Sequence, residues 1–144
     1  DLRKRFEDGF LTLRDLPTPN SFKDMQKATT RIAQAIKNNQ KIVLIGDYDV
    51  DGVVSTTLIK SFFNHLDYYI EWIIPNRFED GYGLSLKILD RIDECDLIIT
   101  VDNGISAYEA GEICKQRGID LIITDHHLLP PKIPQAYAII NQKQ

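Results

Sequence analysis

Apolar positions change their spacing several times along the chain, and each change predicts an element. Met25, Ala28, Ile32, Ala35 and Ile36 recur at helical spacing and predict a helix with one buried stripe. Ser21 and Asp24 stand in a Ser-x-x-Asp spacing close to a capping box, which predicts a start at Ser21. Asn38 and Asn39 end that helix. Residues 41–45, Lys-Ile-Val-Leu-Ile, form a short continuous apolar run, as expected of a strand buried on both faces. Residues 53–66 predict a helix with Val54, Leu58, Phe62 and Leu66 on one side. A second strand is expected over 69–74, a loop with two glycines over 75–83 and a helix over 84–92. A third strand over 97–101, a helix over 107–117 and a fourth strand over 119–124 follow. After a Pro-rich loop, residues 138–140 predict a short fifth strand. Residues 1–20 read as an irregular segment.

Buried strands alternating with amphipathic helices imply an α/β fold, a parallel β-sheet of about five strands with helices on both faces. Residues 21–144 make one such domain, with no internal repeat and no low-complexity stretch. In sheets of this kind a ligand sits outside the carboxyl ends of the strands.

Three segments place acidic or imidazole groups at those ends. Asp47-Tyr48-Asp49-Val50-Asp51-Gly52 follows the first strand. Its alternate carboxylates can converge on a cation, and like charges this close repel unless a metal or a proton offsets them. Gly52 is expected to let the backbone turn into the next helix. Asp102-Asn103-Gly104 follows the third strand, and Asp125-His126-His127 follows the fourth. Oxygen-rich ligands with a histidine suit Mn²⁺ or Mg²⁺ better than Zn²⁺. Two such ions about 3.5–4 Å apart are the usual device for hydrolysing phosphate esters. His65 lies within a predicted helix beside Asn64 and reads as a surface residue.

Composition changes this picture little. Apolar residues make up 43% of the 144 positions and charged residues 26%, which excludes a disordered or membrane-spanning class. The net charge of −4 argues against a nucleic-acid partner until the metal-binding carboxylates are discounted. No apolar block follows the charged N-terminus, so no signal peptide is expected. The two cysteines, Cys95 and Cys114, lie in unrelated segments and read as buried thiols in a reducing cytoplasm.

The three segments, in this order, resemble the motifs of the DHH phosphoesterase family. Asp49-Val50-Asp51-Gly52 with Ser55 looks like the first motif, Asp102 like the second and Asp125-His126-His127 like the third. Residues 45–52 and 75–84, Pro-Asn-Arg-Phe-Glu-Asp-Gly-Tyr-Gly-Leu, look like the RecJ branch. The resemblance covers residues 25–141. It implies two divalent metal ions held by Asp49, Asp51, Asp102 and His126, with Asp102 bridging. Asp47 would assist the first ion, because Ile45 stands where many members carry a histidine. His127 would face the scissile phosphate. Arg77 is the candidate phosphate contact, since a guanidinium fork binds two oxygens at once. Asn76 beside it and Ser55 are further substrate-binding candidates, Ser55 with a capping role as the alternative. Phe78 and Tyr82 offer faces for base stacking or for core packing.

The resemblance implies hydrolysis of single-stranded DNA from the 5′ end, in repair and recombination. The expected partners are that DNA and a single-strand-binding protein or helicase, for a cytoplasmic monomer without a membrane role. The family's fourth acidic motif and second domain have no counterpart here, because nothing after His127 is acidic. The expectation is therefore a C-terminally incomplete catalytic domain, weak or inactive alone. The alternatives are a sister enzyme acting on oligoribonucleotides or cyclic dinucleotides, a haloacid-dehalogenase-like phosphatase with Asp49 as nucleophile, and a non-catalytic replication scaffold.

Overall fold

The computed structural model describes Gly9 and residues 15–144. Of the irregular segment expected over 1–20, residues 1–8 and 10–14 lie outside the described residues. In chain order the elements are α1 (Met25–Lys37), β1 (Ile42–Ile45), α2 (Val50–His65), β2 (Glu71–Ile73), α3 (Leu86–Leu89), β3 (Leu97–Val101), α4 (Tyr108–Gln116), β4 (Asp120–Thr124) and β5 (Ala138–Ile140). The five strands pair in the order β2-β1-β3-β4-β5, and every pairing is parallel.

The continuous apolar runs are buried on both faces, as their composition requires. Ile42 and Leu44 face one core, with Ala28, Ala35 and Phe63 from α1 and α2. Val43 and Ile45 face the other, with Ile88, Leu89, Ala110 and Cys114 from α3 and α4. Helices therefore cover both faces. Each fully buried Leu or Ile contributes about 1.5–3 kcal/mol of transfer free energy. Among the described residues no helix is long and apolar enough to cross a membrane. Both cysteines are free, and burial pushes their thiols up to about 11.

Three local expectations differ from the structure. The first helix starts at Met25, because Pro19–Ser21 forms a separate 3-10 turn in which Ser21 Oγ donates to Thr18 O at 2.7 Å. Asp24 precedes α1 in a left-handed conformation, φ 61°, and its carboxylate accepts from Ile139 N of β5 at 3.1 Å. The capping box is thus replaced by a tie between α1 and the edge of the sheet.

The second difference is in α2. Val54, Leu58, Phe62 and Leu66 do share a side, but they are 51, 66, 54 and 46% exposed. The helix instead packs through Gly52, Thr56 and Phe63. Small residues are required near its start, because a Cβ on Gly46 would lie 2.1 Å from Thr56 Oγ1.

The third is Gly52 itself. It lies inside α2 rather than at a turn before it. A Cβ there would sit 2.5–2.7 Å from the backbone of Asp47, so the glycine is needed for close approach.

Candidate metal centre

The strand order places a topological switch at β1 and β3, whose chains leave the sheet toward opposite neighbours. The acidic segments after β1 and β3 face each other across that switch. Asp47 is 1% exposed. Asp49 caps α2, its Oδ1 accepting from Gly52 N at 3.0 Å. Asp102 directly follows β3 and adopts a left-handed conformation, φ 62°. Such a backbone is uncommon outside glycine, although aspartate tolerates it better than most residues. It is held there by Asp102 N donating to Thr124 O at 2.9 Å.

Asp47, Asp49 and Asp102 each bring a carboxylate oxygen within 4.8 Å of the others. Asp102, His126 and His127 form a second group by the same measure. Asp102 belongs to both. His126 Nε2 lies 2.9 Å from Asp102 Oδ1. Burial, and then the charge of Asp49, raise the Asp102 carboxyl above its usual range. Burial also raises Asp47, with Asp49 adding to it. Asp49 is lowered, chiefly by the hydrogen bond from Gly52 N.

His127 is oriented by Asp125. Asp125 Oδ1 accepts from His127 N at 2.9 Å and lies 2.7 Å from Nδ1, while Oδ2 accepts from Ile105 N at 2.9 Å. Asp125 is buried and its acceptors are used, so it supports the imidazole rather than a cation. Asn141 Nδ2 donates to His127 O at 3.0 Å, and Lys143 Nζ donates to His126 O.

The other candidates lie around this rim. Asp51 and Ser55 line one cleft together with Asp102 and His126, but Asp51 joins neither close group. Ser55 stands in the second turn of α2 and is not its cap; Asp49 has that role. Arg77 lies over the Tyr48 ring at 5.5 Å. Asn76 is exposed, and its side-chain oxygen accepts from Phe78 N at 2.9 Å. Phe78 is 94% exposed and packs in no core. His65 is the exposed last residue of α2, away from the rim.

The roles of three residues here were not legible in the sequence. Asp125 was taken only as part of a motif. Asn103 looked like a turn residue, yet it is fully buried. Its amide donates to Ile45 O and Val101 O at 3.1 and 2.9 Å, and its oxygen accepts from Leu84 N at 3.0 Å. It thereby joins the ends of β1 and β3 to the loop before α3. Tyr82 donates to Asp102 O at 3.1 Å and lies 3.4 Å from His127 Nδ1. Burial and four surrounding aspartates raise its hydroxyl far above the usual tyrosine range. Asn103 and Tyr82 carry no local mark of these roles, because Ile45, Leu84, Asp102 and His127 are distant from them in sequence.

Comparison with known proteins agrees with this geometry. Residues 41–144 match the DHH family, N-terminal domain. The chain is 38% identical over 133 residues to the single-stranded-DNA-specific exonuclease RecJ of Haemophilus influenzae. It is 42% identical over 132 residues to that of Bacillus subtilis. These alignments cover 90% of this chain but only 23% and 17% of the two relatives. A crystal structure of exonuclease RecJ bound to manganese superposes with a TM-score of 0.78 at 28% identity, covering 91% of this chain and 32% of that one. The structure of RecJ from Thermus thermophilus in complex with Mn²⁺ shares the fold, with a TM-score of 0.73 at 24% identity. With its family motifs gathered on one rim of the sheet and its domain matched over residues 41–144, the chain belongs to the DHH family.

Proposed function

We propose that this chain, within a polypeptide of its relatives' length, is the catalytic part of a two-metal exonuclease that degrades single-stranded DNA from the 5′ end in repair and recombination. The observation that carries the reading is Asp102, shared by two ligand groups at the switch of the sheet. The residues fit two divalent cations. Among the described residues, Asp47 Oδ1 and Asp102 Oδ2 are the buried side-chain polar atoms without a hydrogen-bond partner. Buried carboxylate oxygens lacking a donor are costly, and a cation removes that cost.

Asp47, Asp49 and Asp102 would hold one ion, and Asp102 and His126, with Asp51 at the rim, the other. A donor set of carboxylates and one imidazole favours Mn²⁺ or Mg²⁺, and a similar RecJ is bound to manganese. Such a pair activates water and stabilises charge on the phosphate oxygens. Asp125 fixes the His127 ring and leaves Nε2 to face the scissile phosphate, where it donates when the ring is protonated. Arg77 supplies a forked donor for a second phosphate, with Asn76 and Ser55 at the edges of the substrate path.

The haloacid-dehalogenase alternative does not account for Asp125-His126-His127 reaching the same rim as Asp49. The 38% and 42% identical relatives, named single-stranded-DNA-specific, favour DNA over short RNA or cyclic dinucleotides. We place the enzyme in the cytoplasm as a monomer, working beside a single-strand-binding protein or a helicase. Its two free cysteines, Cys114 buried and Cys95 half-buried, suit a reducing compartment.

The test is Mn²⁺-dependent degradation of 5′-labelled single-stranded DNA by the full-length protein, beside Asp102→Ala and His126→Ala. Mononucleotides from wild type alone support the reading. Cleavage of short RNA with no action on DNA would overturn the substrate assignment and leave the metal centre standing.

A further inference from the structure

The loop between β2 and α3 is more tightly built than its exposure suggests. Asn76, Arg77, Phe78 and Glu79 are exposed, yet the side chain of Asp80 is only 10% exposed. Its Oδ2 accepts from Asn76 N at 2.8 Å and from Arg91 Nη1 at 2.7 Å. Asp80 N donates back to Asn76 O at 2.8 Å. Asp80 O accepts from Ser85 Oγ at 3.0 Å, and Ser85 Oγ also caps α3 through Ile88 N. One inward carboxylate thus closes the loop on itself and ties it to the far end of α3.

Two side chains on this loop reach the metal rim. Tyr82 donates to the Asp102 carbonyl and meets both Tyr48 and His127 edge-on, at 6.2 and 6.0 Å between centroids. Arg77 lies over the Tyr48 ring, its guanidinium carbon 5.5 Å from the centroid. A loop free to wander would have to be ordered each time substrate bound, which weakens binding. A loop already closed avoids that cost and holds its contacts at working distance.

We propose that Asp80, clamped by Arg91, is a positioning residue that fixes the 76–83 loop so that Arg77 stands over Tyr48 and Tyr82 beside Asp102 and His127 before substrate arrives. The kinetic consequence rests on the two-metal exonuclease reading; the structural consequence does not. The backbone bond from Asn76 N makes Asp80 more than one half of an exposed ion pair, which alone would contribute little. An asparagine keeps an acceptor for Asn76 N, whereas an alanine loses both bonds. The expected order of effect is therefore Asp80→Ala well above Asp80→Asn and Arg91→Ala.

The experiment uses the full-length protein with 3-fluorotyrosine at position 82. Asp80→Ala should raise KM for single-stranded DNA about tenfold with kcat nearly unchanged. The ¹⁹F signal should shift or broaden, while Mn²⁺ affinity, measured by electron paramagnetic resonance titration, stays at the wild-type value. Lys41→Ala, at the opposite end of the strands, should change none of the three. An unmoved ¹⁹F signal with unchanged KM would overturn the proposal. Loss of Mn²⁺ affinity in step with KM would also overturn it, by placing the role of Asp80 in the metal rim itself. If Asp80→Ala does not fold, Asp80→Asn and Arg91→Ala decide: a smaller ¹⁹F shift in both supports the clamp, and none in either refutes it. If wild type does not hydrolyse DNA, the exonuclease reading falls while the ¹⁹F comparison still decides the positioning role.

Discussion

The two ends of the sheet hold their carboxylates in opposite ways. At the amino ends of the strands, every carboxylate of the network has a donor. Arg31, 8% exposed, donates to Asp120 Oδ2 at 2.6 Å and to Gln40 Oε1 at 2.8 Å. Asp96 Oδ2 accepts from Lys41 N at 2.8 Å. At the carboxyl ends, Asp47, Asp49 and Asp102 face one another, and two of their buried oxygens have no partner. The first arrangement is complete within the chain and serves stability. The second lacks donors within the chain, and the proposed cations would complete it. The count of donors around the carboxylates separates a structural network from a site.

Exchanging one residue at each end tests that contrast most strongly. On the proposed reading, Asp102→Ala should lower hydrolysis by about a thousandfold or more, because it would remove the ligand common to both ions. The metal-free protein should keep its melting temperature, since a like-charge contact is lost along with the carboxylate. Arg31→Ala should do the reverse. It should cost about 2 kcal/mol in denaturant unfolding by removing the buried guanidinium's hydrogen bonds to Asp120 and Gln40, with kcat of the folded protein unchanged.

Metal addition gives the next largest effect. At 100 times its dissociation constant, Mn²⁺ should stabilise wild type by about 2.7 kcal/mol for each site so filled. Calorimetry should show the same gain in Arg31→Ala and none in Asp102→Ala. Equal gains in all three would place the metal elsewhere.

Asp125→Asn addresses orientation rather than charge. It weakens the support of His127 and should lower kcat about 10- to 100-fold, the usual cost of losing the partner of an active histidine. Mn²⁺ affinity should change less than kcat. A parallel fall in both would make Asp125 part of the ligand set.

The smallest expected effect is on pH dependence. Asp47 and Asp102 have folded-state values raised above the ordinary 3.8, first by burial. In the metal-free protein they bind protons more readily folded than unfolded. Their contribution to stability is thus present at low pH and lost as pH rises from about 3.8 through the raised values. Asp47→Asn should flatten that slope in urea titrations across mildly acid pH, and saturating Mn²⁺ should remove it. A slope unchanged by either would assign it to other groups.

Much of the fold was legible along the chain because its causes are local. A strand buried on both faces is largely apolar: Ile42–Ile45 and Ala138–Ile140 are so throughout, and Leu97–Val101 is but for Thr100. The sides of α2 were harder to read. Its packing depends on close approach at Gly52 and Thr56, and small residues leave no mark in a hydrophobic stripe. Ser21 was misleading because its hydroxyl had a nearer acceptor in Thr18 O.

By itself the sequence determined the alternation of strand and helix and put aspartate or histidine after β1, β3 and β4, because period and composition act within a few residues. Only the tertiary structure decided that β1 lies next to β3, and so that Asp102 meets Asp47 and Asp49 rather than Asp51. It also decided that Asp125 serves His127, that Asn103 joins two strands to a loop, and that Tyr82 reaches the rim. Strand order is set by the packing of the whole sheet, and no short stretch of chain carries it.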